Sequence, residues 1–186
     1  MLATVPAGAA IRIVDFGAGP VQESFPDTTI ADVVVSATDN MLIVSVLSEG
    51  INTGSTLQWG TRISVAHSEF TVQGQEGGQR AAIFVFENLP EESNDLIFDT
   101  PESTSGGDNY QVSFLSISAP KELTVLESAH ANGIADSLTV GFTNEATNHL
   151  VFGVAANNED QSPSSPFDAT LGVSASGSGG WGGISS

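Results

Sequence analysis

Met41-Leu42-Ile43-Val44-Ser45-Val46-Leu47 stands between the polar corner Asp39-Asn40 and a turn that opens at Glu49-Gly50. An apolar run this short, bounded by turn formers, reads as a β-strand with both faces buried. Ala81-Ala82-Ile83-Phe84-Val85-Phe86 repeats the pattern. Two such strands need cover on their outer side as well as a core on their inner side. A loop or a neighbouring subunit is the expected cover, and the second points to assembly. Ser137 to Thr143 differs, because Leu138, Val140 and Phe142 alternate with Ser137, Thr139, Gly141 and Thr143. That is a strand with one face on a core and one in water.

Outward from these runs, period-two alternation and short apolar stretches recur, and helical periodicity is hard to find. Strands are expected over Ala10 to Phe16, Ala31 to Ala37, Met41 to Ser48, Thr56 to Trp59, Arg62 to Ala66, Glu69 to Gln73 and Arg80 to Glu87. Further strands follow over Asn94 to Asp99, Tyr110 to Ser118, Glu122 to Glu127, Asp136 to Thr143, His149 to Ala156 and Ala169 to Ala175. Gly, Asn, Asp and Ser clusters separate them, as at Gly74 to Gln79, Asn88 to Asn94 and Asn144 to Asn148. The expected fold is all-β: an antiparallel β-sandwich, jelly-roll-like, in one domain over residues 1–175. Residues 1–14 read as an N-terminal arm, and 176–186 as a Gly/Ser-rich tail carrying Trp181 and Ile184. The runs Asp39 to Val46 and Thr147 to Val154 resemble one another, either as equivalent strands of two jelly-roll halves or as any two core strands do.

Arg12, Arg62, Arg80 and Lys121 are the only bases against 22 carboxylates, for a net charge of -18. Charged residues make up only 14% of the chain, so the acidity reflects missing bases and not dense acidic runs, and a disordered acidic tail is not expected. Nucleic acid and anionic membrane are excluded as partners, since phosphate affinity rests on Lys and Arg. Self-repulsion of this size suits a saline, marine setting that screens it. The chain has no Cys, hence no disulfide, thiolate nucleophile or Cys-based metal site. Met1 to Phe16 lacks a basic start and carries Pro6, Gly8 and Arg12, so it does not read as a Sec signal.

Chemistry-bearing patterns are sparse. His67, His130 and His149 are not at ligand spacing, and no Gly-x-Ser-x-Gly elbow occurs. They read as structural histidines. Glu91, Glu92 and Asp95, or Asp99 and Glu102, or Glu159 and Asp160, could pair for glycoside hydrolysis, but few aromatics accompany them to hold a sugar. No catalytic residue and no cofactor site is assigned. Asn157, Asn158, Glu159 and Asp160 could supply oxygen ligands to calcium, or form a solvated polar turn; no Asp-x-Asp-x-Asp-Gly loop accompanies them.

From Asp39 to Pro120 the chain resembles the jelly-roll and β-sandwich domains of phage structural proteins and of marine bacterial surface proteins. The resemblance is carried by Met41-Leu42-Ile43-Val44-Ser45-Val46, Thr56-Leu57-Gln58-Trp59-Gly60, Phe84-Val85-Phe86-Glu87-Asn88-Leu89-Pro90 and Val112-Ser113-Phe114. Leu150-Val151-Phe152-Gly153-Val154 adds to it. It implies a non-enzymatic virion protein, a capsid decoration or a head or tail appendage, assembled in the host cytoplasm. Its partners would be other copies of itself, as a homo-oligomer, and other virion proteins. Ile11, Ile13, Trp59, Trp181 and Ile184 are the candidate interface residues. The alternative is an extracellular or cell-surface adhesin or carbohydrate-binding module, with calcium if the Asn157 to Asp160 set binds it.

Overall fold

The computed structural model describes residues 2–4, 11–20, 22–23, 27–36, 40–49, 56–64, 66–72, 79–99, 109–119, 124–127, 149–156, 173–175 and 180–185. Among these there is no helix. The strands are β1 (Leu2–Thr4), β2 (Arg12–Ala18), β3 (Gln22–Glu23), β4 (Thr28–Val35), β5 (Asn40–Glu49), β6 (Thr56–Trp59), β7 (Arg62–Ser64) and β8 (Ala66–Val72). After them come β9 (Gln79–Glu87), β10 (Glu92–Asp99), β11 (Asn109–Ser118), β12 (Thr124–Glu127), β13 (His149–Ala156), β14 (Val173–Ala175) and β15 (Gly180–Ser185). The all-β sandwich expected from the sequence is what the chain forms. The strand expected over Asp136 to Thr143 lies outside the described residues.

One sheet runs β2-β11-β5-β9-β8, with β3 also pairing β11, and a second runs β4-β10-β6-β7; every pairing is antiparallel. The pairs are nested. β6 and β7 meet across the Gly60-Thr61 turn, and outside them β5 pairs β9, β4 pairs β10 and β2 pairs β11. The strands β2, β4, β5, β6, β7, β9, β10 and β11 thus pair as a two-stranded ribbon folded over so that successive pairs alternate between the two sheets, with β8 added beside β9. Gly60 takes the left-handed conformation, φ 56°, that lets the chain reverse at the ribbon's end.

Between the sheets lies a core in which register selects the buried side chains. In the second sheet Val33, Val35, Leu57, Trp59, Leu96 and Phe98 point inward, and Leu42, Val44, Val46, Phe84, Phe86, Val112 and Phe114 meet them from the first. Phe98 bridges the layers, with ring centroids 6.3 Å from Phe84 and 5.4 Å from Tyr110 in tilted, edge-on arrangements favoured by the ring quadrupoles. Burial pushes the Tyr110 phenol above its ordinary pKa; its hydrogen bond with Thr28 opposes the shift, and the Asp27 charge adds to it.

Asn40 clasps two corners at one end. Its side-chain amide donates to Ser36 O and Leu89 O, both at 2.7 Å, and its Oδ1 accepts from Leu89 N at 2.8 Å. Asn88 alongside adopts φ 52°, a conformation Asn tolerates well.

The outer face of the first sheet is also buried. Met41, Ile43, Ser45, Ile83, Val85, Leu115 and Ile117 are excluded from solvent although they point away from the second sheet. The cover is the chain itself: a third sheet, β12-β1-β13-β15-β14, lays β13 over β5 and β9 and β15 over β5 and β11. Neither a loop nor a neighbouring subunit is needed for it. Gly183 pairs with Gly153 and Gly182 with Val154, and backbone without side chains permits this close approach. Residues 180–185, within the stretch expected as a tail, are therefore a strand paired on both sides, and Leu2–Thr4 of the expected arm pairs β12 and β13. No helix among the described residues is long and apolar enough to cross a membrane.

Candidate protein interface on the β2–β4 flank

β2 and β4 are the edge strands of their sheets on the same flank, and they lie against each other. Open edges invite pairing with other chains, so the way an edge is blocked or left open bears on assembly. In β2, Ile13 opposes Ile117 and Asp15 opposes Ser116, which leaves Val14 as the extra residue of a bulge. The bulge puts Ile13 and Phe16 on one face, beside Ile117 and Leu115, and turns Asp15 to the other.

Asp15 then spans the seam. One carboxylate oxygen accepts from Phe16 N at 2.8 Å and the other from Val34 N at 3.0 Å. A carboxylate with two backbone donors is a strong acceptor, and here it occupies an edge N–H of β4 that another strand would otherwise use. Next along β2, Gly17 gives its side-chain space to the Phe114 ring; a Cβ there would lie 2.9 Å from Phe114 Cε1. Gly19 donates to Val112 O at 2.9 Å and accepts from the Gln111 side chain at 3.2 Å, which fixes the end of the seam.

On the two sides of that seam large apolar side chains meet water. Ile13 is 51% exposed, Phe16 56% and Val34 43%. Leu115 and Ile117, on the same face as Ile13 and Phe16, are fully buried, so the cover over the first sheet reaches β11 and leaves β2 open. Among the described residues the fourth exposed large apolar side chain is Ile63, at 69%, on β7 across the second sheet.

Of the expected interface residues, Ile13 lies in this patch and Ile11, half-buried, lies just before it. Trp59 does not belong to any surface. It is fully buried, its indole N–H donates to Val33 O at 3.3 Å, and its register opposite Leu96 sets it in the core. Trp181 and Ile184 are in β15, opposite Ala155 and Phe152; their side chains, like Asn157, Asn158, Glu159 and Asp160, lie outside the described set. Phe16, Val34 and Ile63 were not expected. Among the described residues no three His, Asp or Glu side chains gather as a metal site. The flank can bind by burying apolar surface. Compared with protein-family models, with curated proteins and with solved structures, the chain matches none.

Proposed function

We propose that this chain is a non-enzymatic structural component of a phage particle, a decoration protein or head or tail appendage, acting through protein contacts at the β2–β4 flank. The observation that carries the reading is the exposed trio Ile13, Phe16 and Val34 around a seam in which Asp15 occupies an edge N–H of β4. Apolar side chains exposed at a sheet edge, on a chain of net charge -18, suit a specific interface better than open pairing of strands. The nested ribbon supports a jelly roll, since eight strands paired first to last and folded over are that architecture. A carbohydrate-binding surface built on Trp59 has no support, because its ring is inside the core.

Light scattering of the purified chain tests the interface. The wild type should self-associate, and Phe16→Glu and Ile13→Glu should give folded monomers. A wild type that stays monomeric to about 1 mM, where even binding of roughly 4 kcal/mol would show, overturns the reading. Genes for portal, capsid or tail proteins beside the coding gene would support the particle assignment, and metabolic neighbours would count against it.

A further inference from the structure

On the reading that the β2–β4 flank is an interface, its occupant has to be chosen from what else the surface offers. β4 and β7 are the opposite edges of the second sheet, three strand spacings or about 14 Å apart. β7 carries Arg62 and Ile63, both exposed. Arg62 is one of four bases in the whole chain, and no ion pair holds it among the described residues. Ile63 shares the outer face with Gln58 and Ile97 in one cross-strand row. Arg62 pairs across the strands with Trp59 and so takes the face opposite Ile63; an edge that offers both a guanidinium without an ion pair among the described residues and an exposed isoleucine calls for a partner surface that is apolar and acidic. The β2–β4 flank is that surface: Phe16 and Val34 are its apolar part, and the Asp32 carboxylate is exposed two residues before Val34.

We propose that copies of this chain associate head to tail, with the Arg62–Ile63 edge of one copy docking on the Phe16, Asp32 and Val34 flank of the next. Because Asp15 occupies the Val34 N–H, the contact is made by side chains and not by a continued β-ladder. The two halves of the interface are different surfaces on opposite flanks, so the association is heterologous. It yields a ring where the rotation closes and a filament where it does not.

The test uses full-length variants that each lose one half. Arg62→Glu/Ile63→Glu should be monomeric, and so should Phe16→Glu/Val34→Glu, each with affinity lowered about a hundredfold or more by like charge and lost apolar contact. Mixed together, they should form a one-to-one dimer and nothing larger, because each supplies the half the other lacks. Arg62→Glu combined with Asp32→Arg in one chain should restore association that either change alone removes. If the β7 variant keeps the wild-type oligomer while the β2–β4 variant dissociates, the flank is an interface with a different occupant, and the head-to-tail proposal falls alone. If the mixture gives no dimer, the proposal also falls. A wild type without self-association removes it together with the functional reading beneath it.

Discussion

Replacing Asn40 by Ala should be among the more damaging single changes to this fold. The side chain is 1% exposed and makes three short hydrogen bonds, all to backbone, which join the end of β4 and the start of β5 to the corner after β9. Each is worth about 1 kcal/mol net, and the truncation also leaves the buried Leu89 N–H and two carbonyls to find other partners. The expected loss is about 3–5 kcal/mol. At roughly 2–4 °C per kcal/mol for a chain of this size, the Tm should fall by about 6–20 °C. Urea unfolding followed by tryptophan fluorescence should show the midpoint lowered with an unchanged slope. Asn40→Asp is the sharper probe. It keeps an acceptor for Leu89 N–H but turns a carboxylate toward the carbonyls of Ser36 and Leu89, so its deficit should shrink as acid protonates it and supplies a donor. A Tm within about 2 °C of wild type for Asn40→Ala would refute the view that this side chain holds the corners together.

The single tyrosine makes its own titration visible. Tyr110 should ionise in the folded protein above its ordinary value near 10. Since the unfolded chain loses that proton first, stability should be complete below about pH 10 and fall as pH rises through the folded value; a native-state absorbance titration at or below 10 would contradict this. The net charge of -18 predicts that Tm rises between about 10 mM and 0.5 M salt as repulsion is screened, and calorimetry showing no change would count against it. The Ser116 hydroxyl is buried without a partner among the described residues. Ser116→Ala should therefore be neutral or stabilising by up to about 1 kcal/mol, and a clear loss in urea denaturation would reveal a hydrogen bond.

β5 was legible because both of its faces are apolar, and the need for an outer cover followed from the same residues. What covers it was not legible: β15 is written in Gly and Ser, which read as a linker until two neighbouring strands fix it. Phe16 was hidden by one residue. Simple alternation along β2 sets Ile13 and Phe16 on opposite faces, and only the bulge at Val14, visible once β11 is alongside, brings them together. Trp59 was misplaced for a different reason, since its signal was present. Leu57 and Trp59 are two apart in a short strand, so a buried Leu57 implies a buried Trp59. Val34 and Ile63 depended on knowing which strands are edges, and edge position is a property of sheet order that local pattern does not encode.

The nested ribbon has a kinetic consequence. Of its four nested pairs only β6–β7 joins strands that follow one another in the chain, with β8–β9 a second local pair beside it; each further nested pair encloses the one before it, out to Ala18 with Ser113 and Arg12 with Ser118. Bringing β2 directly to β11 would close a loop of most of the domain, a slow and entropically expensive step. Once the pair at Gly60-Thr61 exists, each outer pair closes only a small additional loop, so zipping from that turn is the cheap route. In that case mutations near Leu57 and Trp59 should slow folding, and mutations at Phe16 or Gly17 should mainly speed unfolding. The opposite pattern of φ-values would mean that the chain collapses first and pairs its distant ends within the compact state.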